Sequence, residues 1–478
     1  MVIKTILSQA NYILGNTFID AKRMWCLKAS FVFKLTLIFI LLPGIGALIN
    51  LNIYHLPIFI GGFALLSIYA TNANSFSLHA PKNLEIPAFV LLVLLIAQIL
   101  TDRGFGILSA GGYVILMAII LFGILSAQKP SIETIVRWIS LIFQVLMVGI
   151  GIELIIILLG RQSSLTELFY SEVTTHYKNY NPADLIHFMG LAMDSGGPNS
   201  PLLGSQIGGM VCLFSTLWFF LIPQLPNDFQ ENKRVILWRF ISIILLLATM
   251  NGTAALLTAL GISIPYFLSK NKQQKVNALI LILLFFIALF FLISQGYIFE
   301  RIFSNEPASF SRETLDIFLR SGLEAETKDI AVIDFYFFIF FRPVEIWLNS
   351  DFLTQILGSG NGLFLNEDIY IGGDFGFGSE ILLKTGLIWA CTFSWAVLST
   401  CFSIYSLPNK LPKSSNAWLV LAKINTLFSF LWLASLIHYT PAIQNAGGYS
   451  LFGLSLALVI YCKHCAIKLL ENENAQSS

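Results

Sequence analysis

Apolar residues in this chain do not alternate singly with polar ones; they run in blocks, and polar residues gather in the stretches between. A helix needs about 20 apolar residues to cross a bilayer. Twelve blocks approach that requirement: 35–50, 56–71, 86–101, 107–126, 136–159, 202–222, 236–250, 253–268, 277–295, 377–405, 417–437 and 447–465. Each is expected to be a transmembrane helix. The pair at 236–268 is open, because Asn251-Gly252 reads either as a tight turn or as an interruption within one long helix.

Two connections are much longer than the rest. Residues 160–201 join the fifth and sixth blocks, and residues 296–376 join the ninth and tenth. Loops of this length are usually either functional or disordered. Disorder fits poorly, since 331–348 reads AVIDFYFFIFFRPVEIWL, too apolar to stay solvated. Asp334, Arg342 and Glu345 also interrupt it too often for a comfortable span. It is read as a helix lying at the outer interface, or dipping in and out of it. The fold class expected is therefore an all-α polytopic membrane protein of about 12 transmembrane helices, with two large extracytoplasmic loops containing interfacial helices.

Composition agrees. The 478 residues are 56% hydrophobic and only 12% charged, and the mean hydropathy is +0.77. A water-soluble chain carries about 25% charged residues. A net charge of +1 gives no reason to expect a nucleic-acid partner. The six cysteines fall in apolar runs or in segments expected on the cytoplasmic side, so no disulfide framework is expected. Cys462-Lys-His-Cys465 has the look of half a zinc site, but no second half follows, and a thiol pair at a helix end is the simpler reading.

Charge also orients the chain. If the N-terminus is cytoplasmic, alternate connections should collect Lys and Arg. Of 28 basic residues, 18 lie on that side, Lys423 sits just inside a block, and nine remain for the outer face. These are Arg103, Arg161, Lys178, Arg301, Arg312, Arg320, Lys328, Arg342 and Lys384. The expected organisation follows. Residues 1–34 form a cytoplasmic amphipathic segment, 35–159 carry helices one to five, and 160–201 form the first outer loop. Residues 202–295 carry helices six to nine, 296–376 form the second outer loop, 377–465 carry the last three helices, and 466–478 form a cytoplasmic tail.

The outer polar residues are the candidates for chemistry. Arginine forks match phosphate oxygens and keep their charge at the membrane surface. Arg301, Arg312, Arg320 and Arg342 share one loop, so a phosphate-bearing lipid on that face would explain them. Pairing with Glu300, Glu306, Glu313, Asp316, Glu324, Glu326 and Glu345 is the plainer alternative. The segment LGSGNGLFLNEDIYIGGDFGFGSEILLKTG (Leu357–Gly386) places Asp374 among glycines just before a span. That position suits a general base or an acceptor for a sugar hydroxyl, and equally a helix cap. Glu153 lies well inside the fifth block, where an ionisable side chain is costly and often faces a wet cavity. In HFMGLAMDSGGPNSPLLGSQIG (His187–Gly208), Asn199 or Ser200 can start a helix whose free N–H groups attract anions, or form an ordinary cap. No Asp-x-Asp pair stands on either face for a divalent ion, so neither metal nor cofactor is expected.

The order of these elements resembles the O-antigen polymerase and ligase superfamily of bacterial inner-membrane proteins. Gly190 followed by Pro198-Asn199 is similar to that family's Gly…Pro-Asn element. FRPVEIWLNSDFLTQILGSGNG is similar to its arginine–tryptophan helix leading into a Gly-x-Gly-x-Gly turn, here Gly358, Gly360 and Gly362. DFGFGSEILLKTGLIWA is similar to its acidic or histidine position followed by a helix glycine, here Asp374 and Gly386. The resemblance covers roughly residues 140–400.

It implies a multi-pass protein of the inner membrane with both termini cytoplasmic. It also implies transfer of glycan from undecaprenyl pyrophosphate to a lipid-linked repeat unit at the periplasmic face. Arg342 would stabilise the pyrophosphate charge, Asp374 would orient or deprotonate the acceptor hydroxyl, and His187 would stand where relatives often carry an arginine. Arg161, Arg301, Arg312, Arg320, Asn199 and Glu153 complete the expected substrate-binding set. A chain-length regulator and a flippase are the partners implied. The relatives' Ser-Arg signal reads Met250-Asn251-Gly252-Thr253 here, and residues 296–376 lack the histidine typical of the ligase branch. The latter favours polymerase over ligase. A lipid-linked-oligosaccharide flippase is the reading from another class. Transporters usually place polar residues at mid-membrane and often show two similar halves. Here the spans are largely apolar, the polar groups gather on one face, and no half-to-half repeat is found.

Overall fold

The structure, a computed structural model, describes residues 56–71, 81–103, 106–158, 208–225, 233–248, 252–267, 276, 283, 344–360, 378–404, 413–436 and 446–477. Among them every regular element is helical. The longer helices, in chain order, are α1 (Leu56–Thr71), α2 (Lys82–Leu100), α3 (Tyr113–Gln128), α4 (Ile132–Leu158) and α5 (Gly208–Leu221). They continue with α6 (Lys233–Ala248), α7 (Gly252–Phe267), the short α8 (Phe352–Leu357), α9 (Lys384–Phe402), α10 (Lys413–Ser435) and α11 (Ala446–Ser477).

Among the described residues, six helical stretches are long and apolar enough to cross a membrane. They are Lys82–Leu100, Ala110–Gln128, Ile132–Ile152, Ile381–Phe402, Asn416–Ser435 and Gly448–Asn472. Shorter apolar helices cover Pro57–Leu66 and Gly208–Leu221. Helices therefore stand at ten of the twelve expected blocks. Block 35–50 lies outside the described residues, as does 277–295 apart from residue 283. The open pair at 236–268 consists of two separate helices of 16 residues each, α6 and α7, with residues 249–251 between them outside the description.

Helix ends differ from the apolar blocks in an instructive way. α2 and α4 both begin four residues earlier than their blocks, because their first turns are polar. Pro81, at φ −62° and ψ 148°, starts α2, and its carbonyl accepts the amides of Leu84 and Glu85. At the other end of the chain, α11 runs for 32 residues into the expected tail. At 1.5 Å per residue that is about 48 Å, against a hydrocarbon core of about 30 Å. The Ala, Leu, Lys, Glu and Gln content of 466–477 favours helix without any apolar block.

The core lies where α3, α4, α5, α10 and α11 meet. Trp432 stacks on Phe214 at 4.5 Å between ring centroids and on Phe452 at 5.8 Å. Phe428 reaches Phe143, Phe214 and Trp218, and the Trp218 indole N–H donates to Ser140 at 2.9 Å. α11 approaches α3 closely, since a Cβ on Gly453 would stand 2.7 Å from the Met117 Cβ. Small residues let membrane helices meet in this way, where packing rather than water exclusion drives association. The outward faces are apolar too: Phe59, Phe63 and Leu66 on α1 and Phe89, Leu92 and Ile96 on α2 are exposed. A bundle greasy on both its buried and its exposed faces is solvated by lipid.

Candidate functional site

Three chain segments converge at one end of the bundle, and each is delivered there by its local sequence. The first is the end of α2. Asp102 adopts the left-handed conformation at φ 57°, while the Arg103 amide donates to the Gln98 carbonyl at 2.8 Å and the Asp102 amide to Ile99 at 3.1 Å. This is a Schellman ending, with Asp in the place usually held by Gly. It turns the chain sharply, and Arg103 leaves α2 pointing back across the end of the bundle.

The second segment is 344–360. Residues 344–349 are helical. Asp351 then caps α8, accepting the Thr354 amide at 3.0 Å and the Thr354 hydroxyl at 2.5 Å. The Trp347 indole N–H donates to the Gln355 carbonyl at 3.0 Å, and the Gln355 amide nitrogen donates to the Leu348 carbonyl at 2.8 Å. The segment is thus bonded to itself at both ends. α8 stops at Gly358, whose φ of 78° suits only glycine.

The third segment is the start of α9, where the helix is broken. Gly386 sits at φ 77°, ψ 174°. The break frees the carbonyls of Leu383 and Lys384, and they accept the amides of Ser359 and Gly360, both at 2.9 Å. Buried backbone groups left without a helical partner must be satisfied elsewhere, and here the loop supplies the donors. A matching break precedes α3, with Gly111 at φ 90°. The Trp389 indole N–H of α9 donates to the Ala110 carbonyl there at 2.8 Å.

Gln98 and Arg103 tie the three segments together. The Gln98 side chain, fully buried, donates to the Leu357 carbonyl at 2.9 Å and accepts the Ile107 amide at 3.2 Å. Arg103 Nη1 donates to the Thr354 hydroxyl at 2.9 Å and to the Gly358 carbonyl. Bonds from a charged donor are about twice as strong as neutral ones. The Thr354 hydroxyl and amide, helped by the Arg103 charge, hold the exposed Asp351 carboxyl below its ordinary value. Side chains at the glycines would not fit: a Cβ on Gly358 meets the Lys384 carbonyl, one on Gly360 meets the Arg103 carbonyl, and one on Gly386 meets the Ile356 carbonyl.

The structure thus brings together three of the motif glycines, Gly358, Gly360 and Gly386. Arg342, Asp374, His187, Arg161, Arg301, Arg312, Arg320 and Asn199 lie outside the described residues, as does Gly362. Glu153 belongs to α4, five residues before its end. Reading the sequence as a set of outer arginines counted Arg103 but gave it no role, and passed over Gln98 altogether. The usable signal was a lone Gln in an otherwise apolar block, four residues before an Asp-Arg-Gly turn. Of the cysteine pair on α11, Cys462 is buried and Cys465 half-buried.

No family model matches the chain, and no curated protein matches it. What fold and composition define is a class: an all-helical membrane protein with six helices of spanning length among its described residues.

Proposed function

We propose that the protein is a repeat-unit polymerase of bacterial surface polysaccharide, a metal-independent glycosyltransferase of the inner membrane. In this reading twelve spans place both termini in the cytoplasm and both large loops in the periplasm. The donor is a glycan on undecaprenyl pyrophosphate and the acceptor a hydroxyl of a second lipid-linked repeat unit. The acceptor oxygen bonds to the anomeric carbon, the bond from that carbon to the pyrophosphate oxygen breaks, and the hydroxyl proton passes to Asp374. The pyrophosphate leaves with its charge met by Arg342, where electrostatic help is worth most.

One observation carries the reading beyond composition. The Gly-x-Gly turn of the second large loop and the glycine at the start of α9, matched from separate stretches of sequence, pack against one another, and the Ser359 and Gly360 amides bond to the Leu383 and Lys384 carbonyls just ahead of Gly386. They close a polar, glycine-dependent junction at one end of the helix bundle. The helix breaks lie at the starts of α3 and α9 rather than at mid-helix. That favours chemistry at a membrane face over the mid-membrane site of a transporter. A chain-length regulator and a flippase are the partners this reading supplies.

The test is glycan display in a strain whose only copy carries Arg342→Ala, with protein level checked by blot. The expected outcome is collapse of long polymer to a single repeat unit on the surface acceptor at normal protein level. Loss of that single unit as well would point to ligation or flipping instead. An unchanged ladder would remove Arg342 from the site.

A further inference from the structure

The junction has a feature that its bonding makes unusual: one side chain holds both ends of one short helix. Arg103 Nη1 donates to Thr354, in the first turn of α8, and to the carbonyl of Gly358, which ends it. α8 has six residues, too few to persist alone. Its place is set by what grips it. The grip has three layers: Arg103 on both ends of α8, Gln98 on the Leu357 carbonyl, and the Ser359 and Gly360 amides on the freed carbonyls of α9. Asp351 adds charge, standing close enough for the Arg103 guanidinium to favour its ionised form.

We propose that Arg103 is a positioning residue, a clamp from the end of α2 that fixes the second half of the large outer loop against α9. Along the chain, the clamped segment begins two residues after Arg342 and ends fourteen residues before Asp374. Both flanks of the loop therefore depart from a fixed anchor. For its catalytic consequence, and only for that, the inference rests on the polymerase reading. Arg103 itself is committed to the loop through Nη1 and need not touch substrate.

The clamp and the reaction are tested separately on the full-length protein in lipid nanodiscs. Hydrogen exchange is followed at the Ser359 and Gly360 amides in wild type, Arg103→Gln and Thr354→Val. Thr354→Val removes one acceptor of the clamp and covers the case in which Arg103→Gln fails to fold. Exchange at these amides should accelerate about tenfold or more in the variants, as a locally opened element does. Turnover is then measured with the lipid-linked repeat unit as substrate. Loss of folded protein lowers only the maximal rate, whereas a displaced loop raises KM; a rise of about tenfold is expected.

Unchanged exchange in the variants overturns the clamp. Faster exchange with unchanged KM leaves a clamp that positions nothing, which overturns the proposed role. Wild-type protein that turns over no lipid-linked repeat unit defeats the polymerase reading, and the exchange measurement alone then decides whether Arg103 holds the loop.

Discussion

The aromatic core and the polar junction hold this molecule together by opposite means. In the core, Trp432, Phe214, Phe428 and Phe452 fill space with rings, and packing rather than hydrogen bonding joins them. At the junction almost nothing is filled by side chains. Three glycines with positive φ let backbones touch, and amides, carbonyls, one glutamine and one arginine supply the attraction. The core should tolerate exchange among residues of similar volume. The junction should tolerate very little, because the space it uses is the space a Cβ would take.

Three substitutions probe that contrast. Trp432→Ala empties the centre of the ring stack and should cost about 4 kcal/mol, whereas Trp432→Phe should cost much less; thermal unfolding in detergent compares them. Gly360→Ala adds one methyl yet should cost about 3 kcal/mol, since it combines positive φ with a collision against the Arg103 carbonyl. If it unfolds with wild-type midpoint, the junction is looser than described and the contrast fails. The smallest effect is expected from Asp351→Asn, which keeps an acceptor for the Thr354 amide but loses the charge. The wild-type carboxyl is held below its ordinary 3.8. Its contribution is therefore present above that value and is lost as pH falls through the lower folded value. Thermal scans from about pH 5 downwards should show a drop in the wild type that is shallower in the variant.

The all-helical, membrane-embedded character was legible and the junction only partly so, for one physical reason. Spanning helices announce themselves locally, as with α3 and α10, because lipid demands an apolar block of fixed length. Their polar first turns are invisible to that criterion, which is why α2 and α4 start earlier than their blocks. The motif glycines were visible as spacing, but spacing does not reveal that Gly360 rests on Arg103. The bond from Arg103 to Thr354 joins residues 251 apart in sequence. Asp102 hid the turn that makes this bond possible, since a glycine is the expected marker of a Schellman ending.

That separation in sequence is also a separation in time. The nearby Ile107 amide reaches the Gln98 side-chain oxygen almost as soon as it is made, but the acceptors for its nitrogen are 259 and 286 residues downstream. At a synthesis rate of about 5–20 residues per second, that is a wait of roughly 15 to 60 seconds. Through that interval α2 carries a side-chain amide with half its final bonding, and five further described helices, α3 to α7, emerge before the loop that completes it. The junction therefore closes only late in synthesis, and a chain truncated before Leu357 leaves the Gln98 nitrogen without either of its acceptors.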